Sequence, residues 1–308
     1  MEVDTSLSDE VKSFMSQAAF NGALPIRRAV DFKSVRPRSR AIGKPRREEL
    51  ESKIVELQQN YAELHTEVFE AAQVHRRMCA PRLVREGNFD IASEIFAVRH
   101  LPGDFFTVRN TGSGTILALG DICGKGLAAG MWTTHLVGLV GARGAVFTEP
   151  ESIVAGVNRD VCLMSPLVPL ASLFVARLDT KTGKFEYCSA GHPPALLLRA
   201  NGKLELLSDG GLLLGVKASA PYVRGCVQLE AGDVLLAYSD GVLESLNGSD
   251  EEFGVRRIEE HLRRATVGIG ASAEEILFSI LGAVQDFASA RPIVDDMSLV
   301  VVRGSGHA

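Results

Sequence analysis

The sequence predicts an α+β chain in which antiparallel strands are layered against helices, entered through one long amphipathic helix. Three observations carry this. Short apolar runs separated by turn signals crowd residues 89–238, as strands joined by hairpins do. Helical patterns at 127–139, 149–164, 256–264 and 272–288 flank those clustered strands. Ahead of them, apolar residues recur every three or four positions through residues 50–78.

The opening segment is basic. Residues 1–47 hold ten Lys/Arg against five Asp/Glu, whereas the 308-residue chain has a formal net charge of −5, so the remainder is acidic. Residues 32–47 contain seven basic residues, no acid, and Pro37 and Pro45, the composition of a disordered, solvated tail. Such a tail can also touch an acidic partner or membrane surface. A short amphipathic helix fits residues 11–20. The seam that follows runs Leu50, Ile54, Leu57, Tyr61, Leu64, Val68, Ala71, His75 and Met78. It spans about four heptads and favours a dimeric coiled coil. A single helix packed on the chain's own body is the alternative, since 3.5 and 3.6 periods barely separate over this length. Pro81 stops or kinks the helix.

Strands begin near Asn88. Thr115-Ile-Leu-Ala-Leu-Gly120 is a buried strand, and a glycine-rich turn leads from it into a helix of small residues starting at Leu127. Pro150 sits near the start of the next helix, where its missing N–H costs little. Thr180-Lys-Thr-Gly183 turns between strands at 171–179 and 184–188. Asn201-Gly202 is a two-residue hairpin signal between 195–199 and 203–207.

Several classes are excluded. An acidic body does not suggest nucleic-acid binding. Five widely spaced cysteines without zinc-site spacing read as reduced thiols of a cytosolic protein. No signal-peptide pattern opens the chain. The most apolar stretch, 127–147, is interrupted by His135, Arg143 and many glycines, so no membrane span is expected.

What remains is a set of aspartates at strand ends: Asp104, Asp121, Asp240, and the pair Asp295 and Asp296. One Asp-Gly site alone is most often a turn. Four such sites with oxygen ligands only are what a hard divalent cation needs.

Four segments carrying these aspartates and one more between them run, in order, Gly103-Asp-Phe-Phe106, Asp121-Ile-Cys-Gly-Lys-Gly126, Ser189-Ala-Gly-His-Pro-Pro-Ala195, Tyr238-Ser-Asp-Gly-Val-Leu-Glu244 and Asp295-Asp-Met-Ser-Leu-Val-Val301. Together they resemble the catalytic domain of the metal-dependent protein serine/threonine phosphatases, the PPM family, in its bacterial SpoIIE-type branch, which acts on sigma-factor regulators. The resemblance runs over residues 64–303. It implies a four-layer αββα sandwich at 83–304, while the seam and the basic composition give a coiled-coil linker at 47–82 and a tail at 1–46.

The resemblance also implies a two-cation site for Mn²⁺ or Mg²⁺. Asp121 would bridge both ions, with the Ile122 carbonyl completing one site. Asp104, Asp240 and Asp295 would hold the other, Asp296 being the weaker candidate of its pair. The implied reaction is hydrolysis of phosphoserine or phosphothreonine on a protein, of the anti-sigma-factor-antagonist type; the cysteines and the seam add the expectation of a cytoplasmic homodimer paired through residues 50–78. A catalytically weak interaction module of the same fold, and a phosphatase for a small phosphorylated molecule, are the alternatives.

The chain departs from the family pattern in places. Thr107 stands where a second acid is common, and Lys125 where this branch often has His, so the general acid is unassigned. His192 reads as a residue fixing a strand end rather than as a catalyst. Gly124-Lys125-Gly126 lacks the full P-loop pattern and reads as a turn into the helix.

Overall fold

The structure is a computed structural model that describes residues 47–79, 82–112, 114–164, 169–266, 270–289 and 291–305. The basic segment 1–46, the helix expected at 11–20 and Pro81 lie outside the described residues. The chain divides into two compact units, Met1–Gln58 and Gln59–Ala308. Of the first, only residues 47–58 are described, as the opening turns of helix α1 (Arg47–Met78).

In the second unit the described strands form two sheets. The first has the order β1-β2-β12-β11-β7-β8, from β1 (Leu83–Glu86), β2 (Phe89–Phe96), β12 (Met297–Gly304), β11 (Val234–Tyr238), β7 (Ala195–Leu198) and β8 (Leu204–Leu207). The second has the order β10-β6-β5-β4-β3, from β10 (Gly225–Gln228), β6 (Lys184–Ala190), β5 (Ala171–Leu178), β4 (Thr115–Ile122) and β3 (Phe105–Asn110). The short β9 (Gly210–Gly211) joins β6 in parallel; every other pairing is antiparallel. Helices α2 (Leu127–Gly144) and α3 (Pro150–Met164) follow β4, the short α4 (Asp240–Leu243) follows β11, and α5 (Gly254–Thr266) and α6 (Ala273–Ala288) precede β12.

The side-chain period of two explains the layering. In β4, Leu117 and Leu119 join the core between the sheets, while Ile116, Ala118 and Ile122 pack with α2 and α3. In β11, Leu235 and Ala237 face the inter-sheet core, while Val234, Leu236 and Tyr238 pack with α5 and α6. Each central strand is thus buried on both faces, which is why it reads as an unbroken apolar run. Three stacked cores give the four-layer αββα sandwich that the resemblance implied.

Two local readings are corrected. The pattern was read as strands only from Asn88, yet β1 precedes it and pairs with β2 through the register Glu86↔Phe89. Gly87 and Asn88 form that two-residue turn. Gly87 has φ 59 and Asn88 is not among the positive-φ residues, as a type II′ turn requires. The Asn-Gly signal at 201–202 sits in a longer loop: Arg199 N–H donates to Lys203 C=O, and Asn201 Oδ1 accepts from Lys203 N at 2.9 Å. The side-chain bond lets Asn201 serve a wider turn than the dipeptide alone suggests.

Along α1 the seam changes character. Leu50, Ile54, Leu57, Tyr61 and Leu64 are exposed, Val68 and Ala71 are half-buried, and Ala72 and His75 are buried.

Candidate metal centre

Antiparallel pairing places the acidic residues at one end of each sheet. β3 and β4 are neighbours in the register Phe105↔Gly120, so Asp104 entering β3 lies beside Asp121 near the end of β4. β11 and β12 are neighbours in the register Tyr238↔Leu299, so Asp240, just past β11, lies beside Asp295 and Asp296, just ahead of β12. One sheet contributes each pair.

Close backbone approach makes this possible. Gly241 lies where a Cβ would fall 2.1 Å from the Asp296 carbonyl oxygen and 3.3 Å from Asp295 Cβ, so only glycine lets the Asp240 turn meet the 295–296 segment. At Gly103 a Cβ would stand 3.2 Å from the Ile122 carbonyl oxygen, which brings that carbonyl close to the Asp104 backbone.

Hydroxyls and amides brace the carboxylates. Asp104 is 1% exposed, and its Oδ2 accepts from Ser298 Oγ at 2.5 Å across the sheets. Ser239 Oγ accepts from Ser298 N at 2.9 Å. Both oxygens of Asp296 accept backbone N–H bonds, from Val98 and Gly103, each at 2.7 Å. Thr133 of α2 donates to the Gly103 carbonyl at 2.8 Å, so the loop leading to Asp104 is pinned from both sides. Lys125 Nζ reaches the Val294 carbonyl at 2.6 Å and Asp295 Oδ2 at 2.7 Å.

The electrostatics are those of crowded anions. Burial, then the Asp121 charge, holds the Asp104 carboxyl well above its usual range. Burial, then Asp240, raises Asp121 to about 6. Asp240 is raised by burial and by Asp295. Glu244, one turn beyond Asp240, is raised by burial, then by Asp240, Glu252 and Asp295. Buried carboxylates that repel one another form an all-oxygen donor set whose strain a hard divalent cation would relieve, so the residues present fit such an ion. Among the described residues, no three acidic, histidine or cysteine side chains are already closed on one point; Asp104 is engaged by Ser298 and Asp295 by Lys125.

Of the sequence-predicted residues, Asp121 lies within electrostatic reach of Asp104, Asp240, Asp295 and Asp296, and Asp240 within reach of Asp295. Asp296 faces the 98–103 loop. His192 is 6% exposed and bonded through its backbone to Ser189 Oγ. Its Nδ1 bonds the Pro193 carbonyl at 3.1 Å, and burial lowers its imidazole to about 4. Sequence reasoning missed Ser298, Ser239 and Thr133. The one signal for the serines is a hydroxyl next to an aspartate motif within a buried apolar strand.

The family model described as Stage II sporulation protein E (SpoIIE) matches residues 111–304, nearly two thirds of the chain. The chain belongs to the SpoIIE family. This SpoIIE-type chain is 25% identical over 248 residues to the phosphoserine phosphatase RsbU of Bacillus subtilis (strain 168), covering 78% of this chain and 71% of RsbU. Its fold is similar to the PP2C domain of SiaA from Pseudomonas aeruginosa, with TM-score 0.68 and 16% identity over 79% of this chain and 98% of that one. It is similar also to RsbX solved in complex with magnesium, with TM-score 0.55 and 18% identity over 72% and 98% of the two chains. The SpoIIE-family chain is a PPM-type protein phosphatase.

Proposed function

We propose that this SpoIIE-family protein hydrolyses phosphoserine or phosphothreonine on a protein substrate, using divalent cations held by Asp104, Asp121, the Ile122 carbonyl, Asp240 and Asp295. The observation that carries the reading is the arrival of two carboxylate pairs, one from each sheet, at the same end of the sandwich, where burial and neighbouring carboxylates raise Asp104, Asp121 and Asp240. RsbU bears the name of a phosphoserine phosphatase, and magnesium accompanies the RsbX fold. Mn²⁺ or Mg²⁺ suits the all-oxygen donors.

Bound cations would supply an activated water and neutralise charge on the phosphoryl oxygens. The chain's own work is placement. Asp121, between Asp104 and Asp240, is set to bridge. Ser298 and Ser239 orient the Asp104 carboxyl. Asp296 fixes the loop before Asp104 and stays outside the ligand set.

By analogy with the family, the substrate is a phosphorylated anti-sigma-factor antagonist. We assign residues 83–304 as the phosphatase domain, 47–82 as a helical linker and 1–46 as a tail. The exposed seam residues Leu57 and Leu64 support a homodimer through residues 50–78. The five free cysteines support a cytoplasmic setting. Among the described residues no helix is long and apolar enough to cross a membrane.

The test is phosphate release from a phosphopeptide and from an aryl phosphate by metal-stripped protein. Turnover should return with Mn²⁺, favour the phosphopeptide, and vanish in Asp121→Asn while far-UV dichroism is unchanged. Wild-type turnover by metal-stripped Asp121→Asn would overturn the assignment.

A further inference from the structure

Lys125 lies in the turn between β4 and α2, on the side of the site that carries Asp121. Its ammonium crosses to the other side, where it donates to the Val294 carbonyl at 2.6 Å and pairs with Asp295 Oδ2 at 2.7 Å. The Asp295 carboxylate is oriented as well, its Oδ1 accepting from Asp296 N at 2.9 Å. The influence of Lys125 extends beyond this pair: its charge pulls the pKa of Asp240 and Glu244 downward, against their burial and mutual repulsion. A monovalent cation on a flexible arm thus stands among the carboxylates of one sheet, paired with one of the ligands proposed above.

A surface ion pair of this kind adds little to stability, and the Lys125 and Asp295 side chains are 35% and 41% exposed. What it can do is exclude a like charge. Lysine presents a compact charge on a four-carbon stem that can swing away. We propose that Lys125 is a tethered competitor for the divalent cation: it screens Asp240 and Asp295 while the site is open and must leave Asp295 before a cation can engage that carboxylate. Lys125 therefore sets the cation concentration at which the site fills. The inference rests on Asp295 being a ligand, as proposed above.

Mn²⁺ binding to the full-length protein, followed by calorimetry and by the loss of the free-ion paramagnetic signal, tests it without reference to turnover. Lys125→Met keeps the aliphatic stem and removes the charge; Lys125→Gln is a second, polar replacement. Both should bind Mn²⁺ about tenfold more tightly than wild type, as expected when a like charge beside a carboxylate is removed, and the gain should shrink as salt is raised. Adding Asp295→Asn should shrink the difference between wild type and the Lys125→Met variant to what the screening of Asp240 leaves. Asp121→Asn should weaken Mn²⁺ binding in either background. If Asp121→Asn leaves binding intact, the cation site itself is wrongly placed. If Asp121→Asn weakens binding while both Lys125 variants bind Mn²⁺ equally or less well than wild type, the competitor role is overturned and Lys125 is a brace for the loop.

Discussion

Ser298 on β12 donates its hydroxyl proton to Asp104 at the mouth of β3, so the two sheets are hydrogen-bonded to each other through a fully buried hydroxyl. Ser298 has no solvent exposure. Ser298→Ala should cost about 1–2 kcal/mol, the worth of a buried hydrogen bond to a carboxyl. It should also raise the Asp104 pKa further, because a donor to the carboxylate form is lost. Chemical denaturation and Mn²⁺ titration at pH 7 check both; unchanged Mn²⁺ affinity would show that Asp104 needs no help from the second sheet.

The two acids of the 295–296 pair should part company on mutation. Asp240→Asn and Asp295→Asn should weaken Mn²⁺ binding and leave metal-free stability nearly unchanged. Asp296→Asn should act mainly on stability. Its carboxylate is 5% exposed and accepts two backbone N–H bonds, and an amide there would turn a donor toward a donor, at a cost of about 1–3 kcal/mol. Thermal unfolding in chelator separates the cases. A stable Asp296→Asn with lost Mn²⁺ binding would reverse the choice of ligand.

His192 predicts an acid sensitivity. Its pKa is lowered by burial from 6.5 to about 4 in the folded chain. Between those values the unfolded chain holds the extra proton, so stability is fully present above about pH 6.5 and falls as pH drops toward 4. The full loss from this group is about 3 kcal/mol. Urea midpoints measured at pH 7.5 and pH 5 should differ in wild type. His192→Gln, less stable at pH 7.5 because its amide replaces a fitted ring, should show a shallower slope; an equal slope would assign the sensitivity to other groups.

Leu57 and Leu64 are 66% and 59% exposed in the single chain, so replacing both with Glu should not alter the unfolding temperature of the phosphatase domain. On the proposed seam pairing, light scattering should report dimer for wild type and monomer for the double variant. Turnover at fixed Mn²⁺ should shift too, because α1 ends in buried His75, whose imidazole feels the Asp296 charge. A dimeric double variant would misplace the seam; a monomeric one with unchanged turnover would make the helix a tether only.

Much of this was legible in the chain. The layered fold could be read because β4, β5, β11 and β12 each supply apolar residues to two cores and so announce themselves as long apolar runs. The carboxylates could be read because an aspartate at a strand end is visible one residue at a time. What escaped was relational. β1 is four residues long with a half-exposed pattern, so only its Gly-Asn turn marked it. Thr133 lies inside a helix of small residues, and nothing local says that its hydroxyl meets a carbonyl thirty positions earlier. The pairing of Lys125 with Asp295 joins two sheets across more than half the chain, a separation that no periodicity encodes.

The layer between the sheets has a further consequence. Its interior is apolar packing, with Leu119 and Phe174 of one sheet and Leu235 and Val300 of the other in one buried cluster. Leu119 lies two positions before Asp121 on one sheet, and Leu235 and Ala237 lead to Asp240 on the other. Sliding one sheet over its partner leaves every strand ladder whole yet changes the gap across which the carboxylates face each other. The centre is therefore a gauge of sheet spacing. Truncating Leu119 or Leu235 and truncating Leu262 on α5 should cost similar stability, about 2–5 kcal/mol each, but only the inner defects should be read out as a change in the cation concentration at which the proposed centre fills.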